Sequence, residues 1–518
     1  SVTFLATVNE LPKALTLRTS ISFDGKPCAS FETPLSAGGT IYTMQVGDVK
    51  CWDILQPNLY DVTYELLDGN AVIDTVQSYF GFRTVELREH SLWLNGRPIF
   101  QRLVLDQGFY PDGIWTAPSD DALRRDIELG LAAGFNGARL HQKVFEERYY
   151  YWADRLGYIT WGESPSWGMD ANDVETARNF LSEWAECVVR DRNHPSVMMW
   201  EPILNETHYP KDFAKKVRDL VHEEYPYPGC YTACDAVAQG SEHYEVLYAH
   251  PSTGDKHWSI KERKNNKPYF TREFGDNVDT WSAHNSTSRV ARHWGEAPMM
   301  VQALHYLKTS FPYTTYDTLN AAPAYHFGGC LWHPFDHQRG YHPDPFYGGI
   351  LDAFRQPKTS YYAFMSQRPQ KSQNALGSGP VVYIANECTP FSPEDVTVFS
   401  NCDSVRLSVN GGAPVEKKVG SYPNGLKRVP VVFPKAWDFM ENKKLARGGK
   451  EGAVKLVAEG LIGGKVVTRH EVRPSRRAEK IRLRLDREEG VELSANGSDV
   501  FAVVAEVTDG RGTVKRLN

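Results

Sequence analysis

Three features that mark other classes of protein are missing from this chain of 518 residues. No apolar run approaches the ~18 residues of a transmembrane helix, so membrane insertion is not expected. A formal net charge of −6 argues against a nucleic-acid partner. The eight cysteines show no C-x-x-C or metal-ligand spacing. We therefore expect buried free thiols and predict no metal and no other cofactor.

What is present is an ordinary globular composition with many aromatic residues. Hydrophobic residues make up 41% and charged residues 24% of the chain, and its length suits about three to four domains. Most of the Trp residues lie between Trp93 and Trp332, where they suit either core packing or stacking on sugar rings. The chain opens on Ser1-Val-Thr3 without an initiator Met or a signal peptide, which is typical of a processed or trimmed start. A periplasmic or extracellular location is favoured, and a cytoplasmic one stays open.

Residues 1–87 predict an immunoglobulin-like β-sandwich. Apolar and polar residues alternate with period two over 15–23 and 62–66, and Asp68-Gly69 begins a hairpin turn. About 85 residues in several short strands suit this fold. A second hairpin, with Asn95-Gly96 at its turn, leads into the next domain.

Between residues 88 and 370 the pattern changes to alternating strands and helices. Ser119 caps a helix predicted over 122–133, Gly134 ends it, and a strand follows over 135–140. Further helices and strands continue this alternation, and about 270 residues match the size of an eightfold β/α barrel. A doubly wound parallel sheet is the alternative, but it lacks a Gly-rich phosphate loop in the required place. We therefore predict a TIM-barrel catalytic domain.

Residues 376–518 return to β character, with turn signals at Asn410-Gly-Gly and Gly463-Gly464. We predict a second immunoglobulin-like sandwich over 376–472 and the incomplete start of a further β-sandwich domain over 473–518. The predicted fold class is thus multidomain α/β and all-β, a (β/α)8 TIM barrel flanked by immunoglobulin-like β-sandwiches.

Acidic residues follow five of the predicted barrel strands, at the carboxyl face where barrel enzymes carry their catalytic groups. They are Asp106, Glu163, Glu206, Glu273 and Asp336. One such residue is usually a salt bridge or a helix cap. Five at one rim would repel one another and raise some of the pKa values, which suits a site that needs one protonated and one ionised carboxyl.

Several motifs resemble glycoside hydrolase family 2 in their order and spacing. They are Phe80-Gly-Phe-Arg83, Leu94-Asn-Gly-Arg-Pro98, Asp126, residues 136–139, His194-Pro-Ser-Val-Met-Met-Trp200, Asn205-Glu206, Arg272-Glu-Phe-Gly275 and Leu331-Trp332. The string Leu105-Asp-Gln-Gly-Phe109 is similar to one branch of that family. The resemblance covers roughly residues 1–470 and implies a retaining exo-β-glycosidase that acts on a carbohydrate substrate.

The resemblance also implies roles for individual residues. Glu206 matches the acid/base after strand four and Glu273 the nucleophile after strand seven. A retaining mechanism needs two such carboxyls ~5–5.5 Å apart. The expected substrate contacts are Asp106, Arg139, His141, Asn205, Tyr248, His250, Trp332 and Asp336.

Three of the neighbouring residues carry more specific expectations. Arg139 would keep Glu273 ionised, and Trp332 resembles the aromatic residue that floors the −1 subsite. Arg272 is expected to point away from Glu273 if the strand pairs regularly, since successive side chains alternate between faces.

The choice of sugar depends on a motif that this chain lacks. In the β-glucuronidases of the family, an Asn-x-Lys motif binds the substrate carboxylate shortly before the segment that matches Arg355-Gln-Pro-Lys358. This chain has Phe346, Tyr347 and Gly348 there. We therefore predict a β-galactosidase-like preference, with β-glucuronidase second and β-mannosidase third. A non-catalytic carbohydrate-binding protein on the same scaffold is the alternative from another class.

Departures from the family affect the side that holds the leaving group. Glu201-Pro-Ile-Leu204 precedes Asn205 where the branch has a small or apolar residue, and Thr207-His-Tyr209 replaces Gly-Trp-Gly. The resemblance leads us to expect an N-terminal jelly-roll domain before the first sandwich, and residues 1–87 are not expected to supply it. Barrel loops would then hold the leaving group, with Trp115, Trp167 and Tyr209 as stacking candidates. A homo-oligomer stays open.

Overall fold

Antiparallel sheets at both ends of the chain flank a parallel barrel, which confirms the predicted fold class. The domain limits stay predictions. The computed structural model describes residues 1–88, 91–202, 209–236, 238–249, 267–275, 286–308, 325–338, 343–422, 425–485, 494–497 and 502–516.

The N-terminal part forms two antiparallel sheets around an apolar core that includes Ile21, Tyr60 and Val62. Its strands are β1 (Val2–Ala6), β2 (Thr16–Phe23), β3 (Lys26–Pro34), β4 (Thr40–Met44), β5 (Tyr60–Asp68) and β6 (Ala71–Phe80). The sheet orders are β3-β2-β5-β6 and β1-β4. The buried residues of β2 alternate along the strand, as the period-two pattern predicts.

A small antiparallel sheet leads from this part into the barrel. It consists of β7 (Val85–Arg88), β8 (Ser91–Leu94) and β9 (Arg97–Ile99). Asn95 and Gly96 both adopt positive φ in the turn between β8 and β9, the conformation that an Asn-Gly hairpin turn requires. Leu92 and Leu94 of β8 are buried in the same apolar cluster as the barrel interior.

Eight parallel strands form the barrel. They are β10 (Gln101–Asp106), β11 (Gly137–Leu140), β12 (Ile159–Glu163), β13 (Val197–Glu201), β14 (Ala233–Asp235), β15 (Val246–Ala249), β16 (Tyr269–Phe274) and β17 (His326–Leu331). The sheet order is β13-β12-β11-β10-β17-β16-β15-β14. A parallel bridge between Trp200 and Thr232 joins the two outer strands, and this bridge closes the sheet on itself.

Helices cover the outer face of the barrel. They are α1 (Asp120–Ala132), α2 (Glu147–Leu156), α3 (Val174–Asp191), α4 (Lys211–Glu224), α5 (Glu296–Leu307) and α6 (Thr359–Met365). The side chain of Ser119 accepts a hydrogen bond from the Ala122 N–H, so the predicted cap of α1 is confirmed. Gly157 ends α2 in the left-handed conformation.

The C-terminal part is again antiparallel, with sheet orders β18-β19-β22 and β21-β20-β23-β24 and a separate hairpin, β25-β26. The strands are β18 (Val382–Ala385), β19 (Val396–Ser400), β20 (Ser404–Val409), β21 (Val415–Lys418), β22 (Val431–Phe433), β23 (Leu456–Ile462), β24 (Lys465–Val472), β25 (Lys480–Leu485) and β26 (Val503–Thr508). One helix, α7 (Phe439–Leu445), lies between β22 and β23.

The barrel strands carry apolar residues in their middle and polar ones at their carboxyl ends. Trp161, Met199 and Phe270 belong to the apolar cluster inside the barrel. Side chains two residues apart share a face of a strand. Glu163 therefore follows Trp161 to the inner face, and Glu201 follows Met199. The barrel core thus ends in a layer of buried charge.

Candidate active site

Arg139 of β11 lies at the centre of this charged layer and is fully buried. Its Nε lies 2.9 Å from Oε2 of Glu201 and 3.2 Å from Oε2 of Glu163. Its Nη2 lies 3.8 Å from Oε1 of Glu273, and its Nη1 donates a hydrogen bond to the Arg272 carbonyl oxygen at 3.1 Å. One guanidinium therefore contacts three carboxyl groups from three different strands. Arg139, Glu163, Glu201 and Glu273 together are called the Arg139 cluster.

Glu273 belongs to β16, beside a second guanidinium. Nε of Arg272 lies 3.9 Å from Oε1 of Glu273, and Nη1 of Arg272 lies 3.1 Å from Oδ2 of Asp235. Arg272 was expected to point away from Glu273 only if the strand pairs regularly, and that condition is not met. The pairing of β16 with β17 shifts register between Thr271 and Phe274, so the regular alternation of faces is interrupted there. Two positive groups consequently stabilise negative charge on Glu273.

Side-chain exposure separates the three carboxyl groups of the cluster. The side chains of Glu163 and Glu201 are 0% exposed, whereas that of Glu273 is 8% exposed. A group that attacks a substrate must be reachable from the barrel mouth. Of these three carboxyl groups, Glu273 is therefore the one that retains some contact with solvent.

His141 and Gln142 connect the cluster to the loop after β12. Nδ1 of His141 lies 2.7 Å from Oε1 of Glu163. Burial, reinforced by the charge of Arg139, lowers the pKa of His141 to about 3, so its imidazole is neutral at physiological pH. Oε1 of Gln142 accepts hydrogen bonds from the backbone N–H groups of Ser166 and Trp167. The Trp167 ring packs edge-on against His141, with the ring centroids 5.2 Å apart.

Tyr248 lies in β15 and Trp332 directly follows β17, so the two residues lie on either side of β16. The Tyr248 hydroxyl donates a hydrogen bond to Oε1 of Glu201 at 2.6 Å, and the Arg139 guanidinium lies 5.6 Å from the Tyr248 ring centroid. Trp332 directly follows β17, and its backbone N–H donates to the Phe274 carbonyl oxygen. The structure therefore brings Arg139, His141, Tyr248 and Glu273 of the predicted site together, with Trp332 adjacent to Glu273 along the sheet.

Asp106 and Asp336, which are also predicted substrate contacts, are engaged by residues outside the Arg139 cluster. Leu105 belongs to the inner cluster, and Asp106, the next residue, turns to the helix side. Burial, together with the charge of Asp126, raises the pKa of Asp106 to about 6. Asp336 accepts hydrogen bonds from Nζ of Lys358 at 2.7 Å and from the Gly349 N–H at 2.9 Å. Their roles as substrate contacts stay predictions.

The residues predicted to complete the site on strand four lie outside the described residues. These are Asn205 and Glu206, and His250 after strand six is outside as well. Glu201, which ends β13 and joins the Arg139 cluster, is not among the predicted site residues. A signal for it exists in the sequence, because Glu201 stands two residues after the apolar Met199 of the same strand.

The described part of the chain carries neither a metal-type cluster of side chains nor a membrane-type helix. No group of three or more His, Cys, Asp or Glu side chains there is arranged to hold a metal ion. Within the same residues, no helix is both long enough and apolar enough to cross a bilayer.

The fold and the site together define a multidomain TIM-barrel protein with an acidic site at the carboxyl end of its strands. The model for glycosyl hydrolases family 2 matches residues 15–83, and the model for the TIM barrel domain of that family matches residues 85–292. Together these matches cover more than half of the chain. The chain belongs to glycoside hydrolase family 2.

Similar proteins carry more than one activity name. A β-galactosidase of Thermoanaerobacter pseudethanolicus is 26% identical over 99% of this chain and 67% of its own length. A putative β-glucuronidase of Formosa agariphila is 24% identical over 95% of this chain and 48% of its own length. The chain thus spans between about half and two thirds of the length of these curated relatives.

Solved structures support the fold. That of a family 2 β-glucuronidase superposes with a TM-score of 0.72 at 20% identity, over 97% of this chain and 51% of that chain. That of a β-glycosidase from Bacteroides vulgatus has a TM-score of 0.68 at 17% identity, over 99% of this chain and 67% of that chain. At this level of identity the likeness concerns the fold alone.

Proposed function

We propose that the protein is a retaining exo-β-glycosidase that removes a terminal β-linked sugar, with a preference for β-galactosides. The observation that supports this most is Glu273, the least buried carboxyl group of the Arg139 cluster, with two guanidinium groups beside its carboxylate. Positive charge beside a carboxylate in a largely buried site favours its ionised form, which is the form that attacks in a covalent mechanism.

In the proposed reaction Glu273 attacks the anomeric carbon and the glycosidic C–O bond breaks. Glu206 gives its proton to the departing oxygen. Water then attacks the anomeric carbon, Glu206 takes a proton from that water, and the bond to Glu273 breaks. Asn205 and Trp332 belong to the same proposal as contacts of the sugar in the −1 subsite, the first through the 2-hydroxyl.

Trapping of the covalent intermediate tests the nucleophile. A 2-deoxy-2-fluoro-β-galactoside with an activated leaving group should label the wild-type chain once, on the peptide that contains Glu273. Glu273→Ala should lower kcat by at least about three orders of magnitude, and azide should restore part of the activity. Glu175→Gln, on the exposed face of α3, is the matched control and should retain full activity. Labelling of Glu163 or Glu201 would overturn the assignment.

The acid/base assignment has its own test. Glu206→Gln should slow glycosides with poor leaving groups far more than activated aryl glycosides, because only the former need a proton on the departing oxygen. Equal losses on both substrates would contradict this role for Glu206.

A β-glucuronidase is the second candidate, and a specific contact favours it. The guanidinium of Arg289, a fully buried residue, lies 5.4 Å from the Trp332 ring centroid and 4.2 Å from that of Phe346. This cation places buried positive charge behind the proposed sugar-binding aromatic residue, which favours a sugar that carries a carboxylate. Nitrophenyl β-galactoside and β-glucuronide, assayed in parallel, separate the two candidates. Binding of either sugar without turnover would instead support a non-catalytic carbohydrate-binding protein.

A further inference from the structure

Glu201 and Glu163 stand directly beside each other in the barrel. They are register partners in β12 and β13, and both side chains are fully buried. Like charges at such paired positions repel each other. Arg139 is the guanidinium in contact with both, and it also contacts Glu273. Three ionised carboxylates around Arg139 would leave two negative charges uncompensated within the cluster.

The hydrogen bonds of Glu201 are unevenly distributed between its two oxygens. Oε1 accepts the Tyr248 hydroxyl at 2.6 Å. Nε of Arg139 lies 2.9 Å from Oε2, but its single N–H donates to Oε2 of Glu163 instead. Within the described part of the chain no hydrogen bond reaches Oε2 of Glu201. A buried carboxylate oxygen without a donor is costly, and that cost disappears if the oxygen carries a proton.

Electrostatics also favour the protonated state of Glu201. Burial raises the pKa of Glu201 to about 8, against the charge of Arg139, and the negative charge of Glu163 adds to the rise. The titratable and charged groups that face Glu201 come from five strands and are Arg139, His141, Glu163, Tyr248, Glu273 and Cys330. His141 is neutral at physiological pH because its pKa is lowered to about 3, so its imidazole contributes no positive charge there.

We propose that Glu201 is a positioning residue that carries a proton at neutral pH and thereby leaves the Arg139 guanidinium to orient the nucleophile Glu273. The proposal rests on the proposed glycosidase function for its kinetic consequence. The contact of Arg139 with Glu201, at 2.9 Å, is shorter than its contact with Glu273, at 3.8 Å. When Glu201 loses its proton to solvent at alkaline pH, the closer pair strengthens and Glu273 loses its orienting partner.

The protonation state can be measured without any substrate. The infrared difference spectrum between wild type and Glu201→Gln at pH 6 should show the carbonyl band of one carboxylic acid in the wild type. At pH 10 a carboxylate band should replace it. All other acids cancel in this difference. A carboxylate band at pH 6 would overturn the proposal, whatever the activity of the protein proves to be.

The kinetic consequence is measured with an aryl glycoside whose leaving group needs no proton, so that Glu206 does not limit the rate. We expect kcat/KM of the wild type to fall roughly tenfold to a hundredfold above pH 8, the order of loss when a reacting group is misplaced. Glu201→Gln should lack this fall. A Glu201→Gln profile that keeps the same alkaline fall would contradict the proposal, and Glu175→Gln again serves as the control.

A second variant keeps the test decisive if Glu201→Gln does not fold. The hydrogen bond from Tyr248 stabilises the ionised form of Glu201 and so opposes the rise of its pKa. Tyr248→Phe should therefore move the alkaline fall to higher pH. If the alkaline fall in kcat/KM stays at the same pH in a folded Tyr248→Phe protein, a group other than Glu201 causes it, which contradicts the proposal. Absence of turnover on every glycoside would count against the proposed function, while the infrared result would still decide the protonation state.

Discussion

The barrel contains two kinds of buried charge, and they differ in how the charges are balanced. At its rim each cation has a carboxylate of its own: Arg355 donates two hydrogen bonds to Asp126, at 2.9 and 2.8 Å, and Lys358 donates one to Asp336 at 2.7 Å. In the interior Arg139 is shared by three carboxyl groups. The two arrangements therefore differ in how many carboxyl groups share one cation, and not in whether a pKa is altered, because burial raises the pKa of Asp336 to about 7 even beside Lys358.

The two arrangements of buried charge also differ in what they hold in place. The rim pairs fix the segment 352–358 against α1 and the end of β17, and the Arg355 guanidinium lies 4.2 Å from the ring centroids of both Tyr110 and Phe335. They tie segments that are distant in the chain to one another. Perturbed acids at the end of a barrel are instead typical of catalytic sites. The imbalance around Arg139 therefore marks the site more clearly than the number of acids at the rim.

The largest stability change should come from breaking a balanced pair. Arg355→Met leaves Asp126 buried without its cation, and we expect a loss of about 3–5 kcal/mol in the free energy of unfolding. Arg148→Met is the matched control, because it breaks an ion pair with Asp120 whose side chains are about half exposed. That change should cost less than about 1 kcal/mol. Chemical denaturation of the three proteins provides the measurement.

A double variant tests whether the unpaired charge causes the loss of stability in Arg355→Met. Arg355→Met combined with Asp126→Leu removes both charges, and it should regain most of the lost stability since no unpaired ion remains. If the double variant is as unstable as Arg355→Met alone, packing of the Arg355 side chain on Tyr110 and Phe335 explains the loss, and the charge balance does not.

Glu296 offers an intermediate case, a buried acid with hydrogen bonds and no cation within ion-pair distance among the described residues. At the start of α5, its carboxyl oxygens accept the Glu387 N–H at 3.1 Å and the Ser392 hydroxyl at 2.6 Å, which joins the barrel to the C-terminal sheets. Burial raises the pKa of Glu296 to about 7 from an ordinary value near 4.5. The folded protein therefore binds this proton more tightly than the unfolded chain does.

The sign of the pH dependence follows from that difference. The stabilising contribution is fully present below the unfolded pKa and is lost as pH rises through about 7. It amounts to at most about 3 kcal/mol. Glu296→Gln, which cannot ionise, should match the wild type in thermal midpoint at pH 5 and exceed it at pH 8.5. A constant difference between the two proteins across this range would show that Glu296 does not titrate as inferred.

The sequence was sufficient for the architecture because its signals are local. Apolar periodicity, the Ser119 cap and the turn at Asn95-Gly96 each determine a nearby element, and eight such strand units close into one barrel. The position of Glu273 near the end of β16 was predictable as well, since a family motif and a strand end coincide there, whereas its role as the nucleophile stays a prediction. These features depend little on how distant parts of the chain pair.

Side-chain orientation at the barrel mouth was less predictable. Arg272 lies beside Glu273 because of a register shift that exists only when β16 pairs with β17. Asp106 turns to the helix side because Leu105 occupies the inner face, and Asp336 is engaged by Lys358, a residue 22 positions later in the chain. Each outcome depends on tertiary pairing, which a pattern of strand ends does not specify.

The smallest expected effect concerns Trp167, which lies between the Arg139 cluster and solvent. Of the three aromatic residues predicted to stack on the leaving group, Tyr209 is buried, whereas Trp115 and Trp167 are 63% and 46% exposed. Trp167 packs on His141, which contacts Glu163, and its loop is fixed by Gln142. An exposed indole held rigidly beside the site suits a second sugar ring or an aromatic leaving group.

Trp167→Ala should therefore weaken binding of an oligosaccharide by about 1–2 kcal/mol, the usual range for stacking on an aromatic face. The KM of a longer substrate should rise roughly tenfold with little change in kcat, and a nitrophenyl monosaccharide should respond less because its sugar occupies the −1 subsite alone. Trp294→Ala is the matched control, because Trp294 is 40% exposed and is not one of the predicted stacking residues. Equal losses on both substrates would mean that Trp167 supports His141 and the cluster behind it, since only a defect in the catalytic layer affects every substrate alike.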